Sequence, residues 1–333
     1  MSVSEPTTKS STLVARLVLT RTASLRGRNY GVLGVIVVLF VSLSASSNGF
    51  LTVTNQLNIL DQWSAVGMIA AAATLVLISG GFDLSVAAVF SITGIIAAKL
   101  ATSMGVPTAL LIAILTGAGF GILNGLAVVV LRISSIIATL ATGIIIGGIA
   151  LYLTGGQLVL VEDPSFATFG GSTWFGVTSP SWYFLSAAVI IGFVLHRTIF
   201  GRFLYAVGGN SEAARLSGIR TGRVLIQTYC LSGLAAGFAG VMIASKQTTG
   251  QANAYPGLEF VVIAAVIVGG TSILGGSGAV WRTISGLYLL ALIQNGANLL
   301  SIDQTLRDVI YGSIILGAAA LDVWVRSRGN RSQ

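Results

Sequence analysis

Charge is scarce in this chain. Acidic and basic residues make up 8% of its 333 positions, against about 25% in an ordinary soluble domain, so a water-facing surface cannot be built from what remains. There is one cysteine, Cys230, which excludes a disulfide framework or a cysteine metal cluster. It sits inside an apolar run and reads as a small buried apolar side chain. The single histidine, His196, borders an apolar run beside Arg197 and reads as an interfacial residue. No glycine-rich phosphate loop ends in lysine and serine or threonine, and no nucleophile has a histidine base to activate it. The expectation is therefore no catalytic residue, no metal site and no enzymatic activity in the chain itself.

What fills the sequence is apolar. The hydrophobic fraction is 54% and the mean hydropathy is +0.90. A helix needs ~20 mostly apolar residues to cross ~30 Å of hydrocarbon. Runs of that kind lie near 31–46, 57–79, 84–100, 108–131, 133–153, 182–195, 224–245, 260–268, 279–299 and 309–325, the first, sixth and eighth being short. Water cannot satisfy free peptide groups inside a bilayer, so these segments must be helical. The expected fold is an all-α polytopic membrane protein with about ten transmembrane helices, and 260–268 is expected to draw in neighbouring turns.

Orientation follows from the basic residues. With the amino terminus inside, fifteen lysines and arginines fall on the inner side and only Lys99, Lys246 and Arg307 outside. This predicts a cytoplasmic tail over 1–30, a membrane domain over 31–325, a cytoplasmic tail over 326–333 and both termini inside. Lys99 and Lys246, being external, cannot serve a cytoplasmic nucleotide site. The first thirty residues lack the apolar core and cleavage site of a secretory signal. The net charge of +8 is scattered over inner loops and reports topology and anionic lipid rather than nucleic acid.

Glycine is abundant, with 42 residues. Gly117, Gly119, Gly121 and Gly125, and Gly143, Gly147 and Gly148, lie inside spans, where small residues let helix backbones approach. Two clusters instead interrupt apolar runs: Gly80, Gly81, Phe82, Asp83, Leu84, Ser85, and Gly269, Gly270, Thr271, Ser272 with Gly275 and Gly276 behind. Both read as helix breaks, with Asp83 or Ser272 capping the next helical stretch. Broken segments at membrane depth survive only when buried in protein or lining a wet cavity. Asp83 is the most suggestive acidic residue; Asp61, Glu259 and Asp308 read as interfacial.

The longest inner segment between spans is 196–223, and the longest outer one is 155–181. Within the inner segment, Asn210 to Gly218 predicts a short helix: Asn210 or Ser211 caps it, Glu212 sits in the first turn and Gly218 ends it. Such a helix on a tight loop suits docking into a partner's cleft.

Four ordered stretches carry a family resemblance: Gly80 through Val86; Ile136, Ile137, Ala138, Thr139 and Leu140; Tyr205 through Ile219; and Gly269 through Ser272. Together they resemble the ribose/xylose-type sugar ABC importer permeases of the branched-chain amino acid/monosaccharide permease superfamily, over about 51–325. The resemblance implies a type II ABC importer-like permease paired with a second permease copy, identical or paralogous. Two ATPase subunits would bind ATP and magnesium, the chain itself holding no cofactor, and a periplasmic or lipoprotein binding protein would deliver sugar. It further implies that Asn210, Glu212, Ala213, Ala214, Arg215 and Gly218 form the coupling helix, and that the protein lies in the inner membrane. Three positions depart from the pattern: Ala87 replaces a common glycine, Gly147 a common arginine and Ser277 a frequent basic residue.

A sugar needs transient hydrogen-bond partners, so polar residues in the spans are the candidates for the path. These are Asp83, Asn124, Thr139 and Thr142, with Asn295 and Asn298 three apart on one helix face. The alternative for each is a helix-to-helix hydrogen bond worth about 0.6 kcal/mol. Gly80, Gly81, Gly269 and Gly270 are assigned structural roles at the breaks. Trp174 and Trp182, flanking the external segment, read as interfacial anchors or as part of a docking surface. Competing classes are an ion-coupled secondary transporter, which would bury more ionisable residues, and a membrane-embedded enzyme, which would need a nucleophile or metal cluster. Within the family, a branched-chain amino acid or a sugar-like signalling molecule is the alternative cargo.

Overall fold

The computed structural model describes residues 32–303 and, beyond them, residues 306, 309, 312, 313, 316 and 317. Both expected tails, most of the expected last span 309–325, and Arg307 and Asp308 lie outside the described residues. The helices are α1 Val32–Ser46, α2 Val53–Gln62, α3 Ser64–Ile78, α4 Val86–Met104, α5 Val106–Val129, α6 Ser135–Thr154, α7 Pro164–Gly171, α8 Ser179–Arg197, α9 Ile199–Gly209, α10 Ser211–Leu216, α11 Thr221–Gln247, α12 Leu258–Val268 and α13 Val280–Leu299. Four two-residue strands, which the sequence did not announce, form two small ladders: β1 Val159–Leu160 with β4 Thr249–Gly250, and β2 Thr173–Trp174 with β3 Val177–Thr178.

Eight of the nine expected spans in the described region fall on one helix each and 57–79 falls across two, α2 and α3, but not every helix is span-sized. Five, α4, α5, α6, α8 and α11, are long and apolar enough to cross a membrane; α2 and α3, bent by 50° at Trp63, make a sixth as a pair. The expectation for 260–268 needs correction. At 11 residues, α12 is about 16 Å long, roughly half the hydrocarbon thickness, because Gly257 and the Gly269–Gly270 break stop it at both ends.

α3 is the hub. All its residues are buried, and α8, α11, α12 and α13 surround it. α4 and α11 are mostly covered as well, whereas α6 buries only Ala138, Thr139, Ile146 and Ala150 among the described residues. Lipid is as apolar as leucine, so packing and hydrogen bonds, not apolar burial, hold such helices together. The α5–α11 seam shows how: a Cβ at residue 117 would stand 2.6 Å from the Gly233 carbonyl oxygen, one at 121 would collide with the Tyr229 carbonyl, and one at 125 would lie 2.8 Å from the Ile226 Cα. At Gly119, Gly147 and Gly148 an added Cβ would meet nothing within 4 Å among the described residues, so no close approach there requires glycine.

The expected external segment 155–181 is not a loose loop. α7 is docked on α11 through Ser245, whose hydroxyl donates to the Phe166 carbonyl (2.5 Å) and accepts from the Gly170 N–H (2.7 Å). The β2–β3 hairpin presents Phe175 at its tip, 99% exposed, and the Trp182 indole N–H donates to the Trp174 carbonyl (3.1 Å). Asp61 is more than an interfacial residue: it forms an ion pair with Lys246 and accepts from the Thr178 hydroxyl (2.6 Å), tying α2, α11 and the hairpin. Exchanging Lys246 for methionine should cost about 1 kcal/mol, read as a lower unfolding temperature in detergent at low salt that converges with the parent at high salt.

Candidate coupling and translocation sites

The first break follows from Gly80, whose φ of +84° is open to glycine and costly for other residues. The chain then runs without regular structure to Ser85, at the N-cap of α4. Inside a membrane each peptide group of this stretch needs a partner from the protein, and α6 and α11 supply three of them. The Phe82 N–H donates to Ser135 Oγ (3.1 Å), the Leu84 N–H to Thr139 Oγ1 (3.0 Å), and the Tyr229 hydroxyl to the Phe82 carbonyl (3.1 Å). Gly81 is required because a Cβ would stand 2.5 Å from the Tyr229 hydroxyl oxygen.

Asp83 is the centre of this arrangement. It is 5% exposed; its Oδ1 accepts from the Ser85 N–H (3.1 Å) and hydroxyl (2.6 Å), and its Oδ2 from the Ser232 hydroxyl (2.7 Å). Asn124 Nδ2 donates to Ser85 Oγ (2.7 Å), leaving Asn124 Oδ1 buried without a hydrogen-bond partner among the described residues. Asp83, Asn124 and Thr139, chosen from the sequence one by one, thus belong to one buried network across α4, α5, α6 and α11. The sequence reading missed Ser85, Ser135, Tyr229 and Ser232. A signal was present: Ser135 and Thr139 are one turn apart on α6, as are Tyr229 and Ser232 on α11.

The other path candidates are placed differently. Thr142 is half-buried on α6 and donates to the Ala138 carbonyl (2.8 Å). Asn295 exchanges two amide hydrogen bonds with Asn55 of α2 (2.8 and 3.1 Å), while Asn298 is exposed. Their spacing puts them near each other on α13, and Asn295 is the one whose amide pairs with α2.

The second break, 269–279, joins α12 to α13. A Cβ on Gly269 would collide with the Arg282 carbonyl, and Gly270, Gly275 and Gly276 all have positive φ. The capping expectation is corrected here. Ala279, not Ser272, stands at the N-cap of α13, while Ser85, not Asp83, does so for α4; neither cap residue makes a side-chain cap. Ser272 instead donates its N–H to the Ser277 carbonyl (2.9 Å), closing the loop on itself. Of the departures from the family pattern, Ala87 packs against the main core and Gly147 faces open space, where a larger side chain would fit.

Between α8 and α11 the segment expected on the inner side is more ordered than the sequence suggested. α9 was not foreseen, although Ile199, Phe200, Phe203, Leu204 and Val207 repeat at helical spacing behind Thr198, which accepts the Gly201 N–H (3.3 Å). α10 follows immediately. Asn210 Oδ1 accepts the Ala213 N–H (2.9 Å), so Asn210 and not Ser211 is the cap. Gly218, at φ +84°, ends the helix as the Ile219 N–H reaches back to the Ala214 carbonyl (3.1 Å). Arg215 clamps Glu212 with two hydrogen bonds (2.6 and 3.0 Å) and holds its carboxyl below the usual carboxylate range. Ala214 is turned inward, whereas Ala213 and Leu216 are exposed, Leu216 at 75%.

A helical membrane domain with two helix breaks, and a capped short helix offering an apolar side chain in its last turn, is the build of a transporter's membrane subunit. The chain belongs to the family described as the branched-chain amino acid transport system / permease component, which matches residues 55–319. It is 38% identical over 297 residues to the L-arabinose transport system permease protein AraH of Escherichia coli, covering 88% of this chain and 90% of that one. It is 34% identical over 299 residues to the L-arabinose ABC transporter permease protein AraH of Azospirillum brasilense (90% and 88% covered). It is 36% identical over 288 residues to the ribose import permease protein RbsC of Bacillus subtilis (86% and 89% covered). No solved structure matches.

Proposed function

We propose that this chain is the membrane-spanning subunit of an ATP-driven importer for a monosaccharide of the pentose class. The observation that carries the reading is the similarity, over nearly the whole chain, to permeases named for arabinose and ribose. ATP and magnesium would be held by separate ATPase subunits docked on α10, sugar would arrive from a binding protein at the 155–181 face, and a second permease copy would complete a type II assembly of about ten helices per chain. Both termini would lie inside, in the inner membrane. Thr142 and Asn298 have the surface exposure a passing sugar needs. Asp83, Asn124 and Thr139 would meet it only where the first break opens; Asn295 would do so where its pairing with Asn55 is released.

The test is co-purification from detergent followed by an ATPase assay. A nucleotide-binding subunit should accompany the chain, and its ATPase should respond to a binding protein loaded with arabinose or ribose. A complex without ATPase, with uptake that collapses when the ion gradient is removed, would instead establish a secondary transporter.

Variants of α10 give a sharper outcome. Glu212→Trp places bulk on the docking face, and Gly218→Val forces a β-branched residue to positive φ at ~1–3 kcal/mol. Both are expected to reduce uptake to background while the permease stays in the membrane. Uptake at the parental rate would overturn the docking assignment.

A further inference from the structure

The last turns of α9 meet both helix breaks, and they do so largely through main chain. Asn210 closes α9, its N–H donating to the Ala206 carbonyl (3.1 Å), and the same residue caps α10, so no linker separates the two helices. Two residues earlier, Gly208 lies so close to the end of α3 that a Cβ there would overlap the Ile78 carbonyl oxygen and stand 2.7 Å from the Gly276 nitrogen. That same Ile78 oxygen accepts the Gly276 N–H (2.8 Å). It lacks its helical partner because the Phe82 N–H is turned to Ser135, so the second break satisfies a carbonyl that the first one exposes. Gly275 closes the contact: a Cβ on it would lie 2.9 Å from both the Gly208 carbonyl oxygen and the Gly80 Cα. Tyr205 adds a side-chain tether, its hydroxyl donating to the Gly278 carbonyl (2.7 Å).

Such a contact transmits displacement in a way that interleaved side chains do not. Side chains absorb a shift by changing rotamer, whereas apposed main chains at van der Waals distance have no void to close. Moving α9 by about an ångström, the scale of helix shifts at interfaces, must carry the end of α3 and the 269–279 loop with it, or break the Ile78–Gly276 and Tyr205–Gly278 bonds.

We propose that the junction of 78–80, 205–209 and 275–278 passes movement at α10 to both helix breaks at once, with Tyr205 the positioning residue that keeps the second break in step. The proposal rests on the reading of α10 as the ATPase-docking helix. The experiment uses the complete transporter in proteoliposomes, with ATPase subunits and binding protein, and counts sugar imported and ATP hydrolysed in the same vesicles. Tyr205→Phe removes only the hydroxyl. The expected result is parental assembly, thermal stability and basal ATPase, with sugar moved per ATP down roughly fivefold. Gly208→Ala, where it assembles, should lower the ratio further. An unchanged ratio in an assembled Tyr205→Phe transporter overturns the junction. Glu212→Trp in parallel separates the two ideas: if it strips the ATPase while Tyr205→Phe couples normally, the docking helix stands and the junction falls. If Glu212→Trp assembles and transports at the parental rate, both fall.

Discussion

Replacing Asp83 with alanine is expected to abolish uptake and to destabilise the detergent-solubilised protein by ~3 kcal/mol or more. The magnitude follows from what the carboxyl holds. An average interhelical hydrogen bond in a membrane contributes only about 0.6 kcal/mol, because the unfolded chain also finds partners there. Asp83 differs in that two of its three accepted bonds come from Ser85, at the start of α4, and the third from Ser232 on α11. Removing it leaves a backbone N–H and two hydroxyls without that acceptor in a site that is nearly water-free. Asp83→Asn is the informative control. Its carbonyl oxygen can still take both Ser85 donors, and the Ser232 hydroxyl can turn to accept from the new amide. The asparagine variant should therefore recover most of the stability lost in alanine, measured by thermal unfolding and by uptake. Equal behaviour of the two would mean that the network does not fix the first break.

Gly121→Val should collapse the seam between α5 and α11. The new side chain meets the Tyr229 carbonyl and lies within about van der Waals distance of the Cys230 backbone, where a Cβ would stand 3.0 Å from the Cys230 Cα. A carbonyl cannot change rotamer, so the helices must separate along their length; overpacking of this kind costs ~3 kcal/mol or more, and the folded yield should collapse. At Gly119, two residues away on the same helix, an added Cβ meets nothing within 4 Å among the described residues, so Gly119→Val should be close to neutral. Monodisperse yield after solubilisation compares the two directly. Similar yields for both variants would refute the close-approach account.

How much was legible beforehand varied with the range of the interaction. α10 could be read in the chain because its cap, first-turn acid and terminal glycine all lie within nine residues, 210–218, and act on their own backbone. The helix breaks were legible for the same reason, since paired glycines interrupt an apolar run whatever surrounds them. α9 was missed although its periodicity was present, because apolar residues beside arginines in a segment between spans read equally well as a loop. Which in-span glycines approach another helix was not legible at all. Gly119 and Gly121 look alike in sequence, and only the direction each faces on α5 separates them.

The amino-acid sequence by itself determined the solvent of this protein, its helical character, where its two helix breaks fall, and the family to which it belongs. Those properties are set by local hydropathy and by backbone preferences acting over a few residues. Only the tertiary structure decided that Asp83, Asn124 and Thr139 share one network, that Asn295 pairs with Asn55, and that Gly80, Gly208 and Gly275 meet at one point. Such contacts join residues far apart in the chain through hydrogen bonds and close main-chain approach. Their geometry depends on how whole helices cross, which no short stretch of sequence encodes.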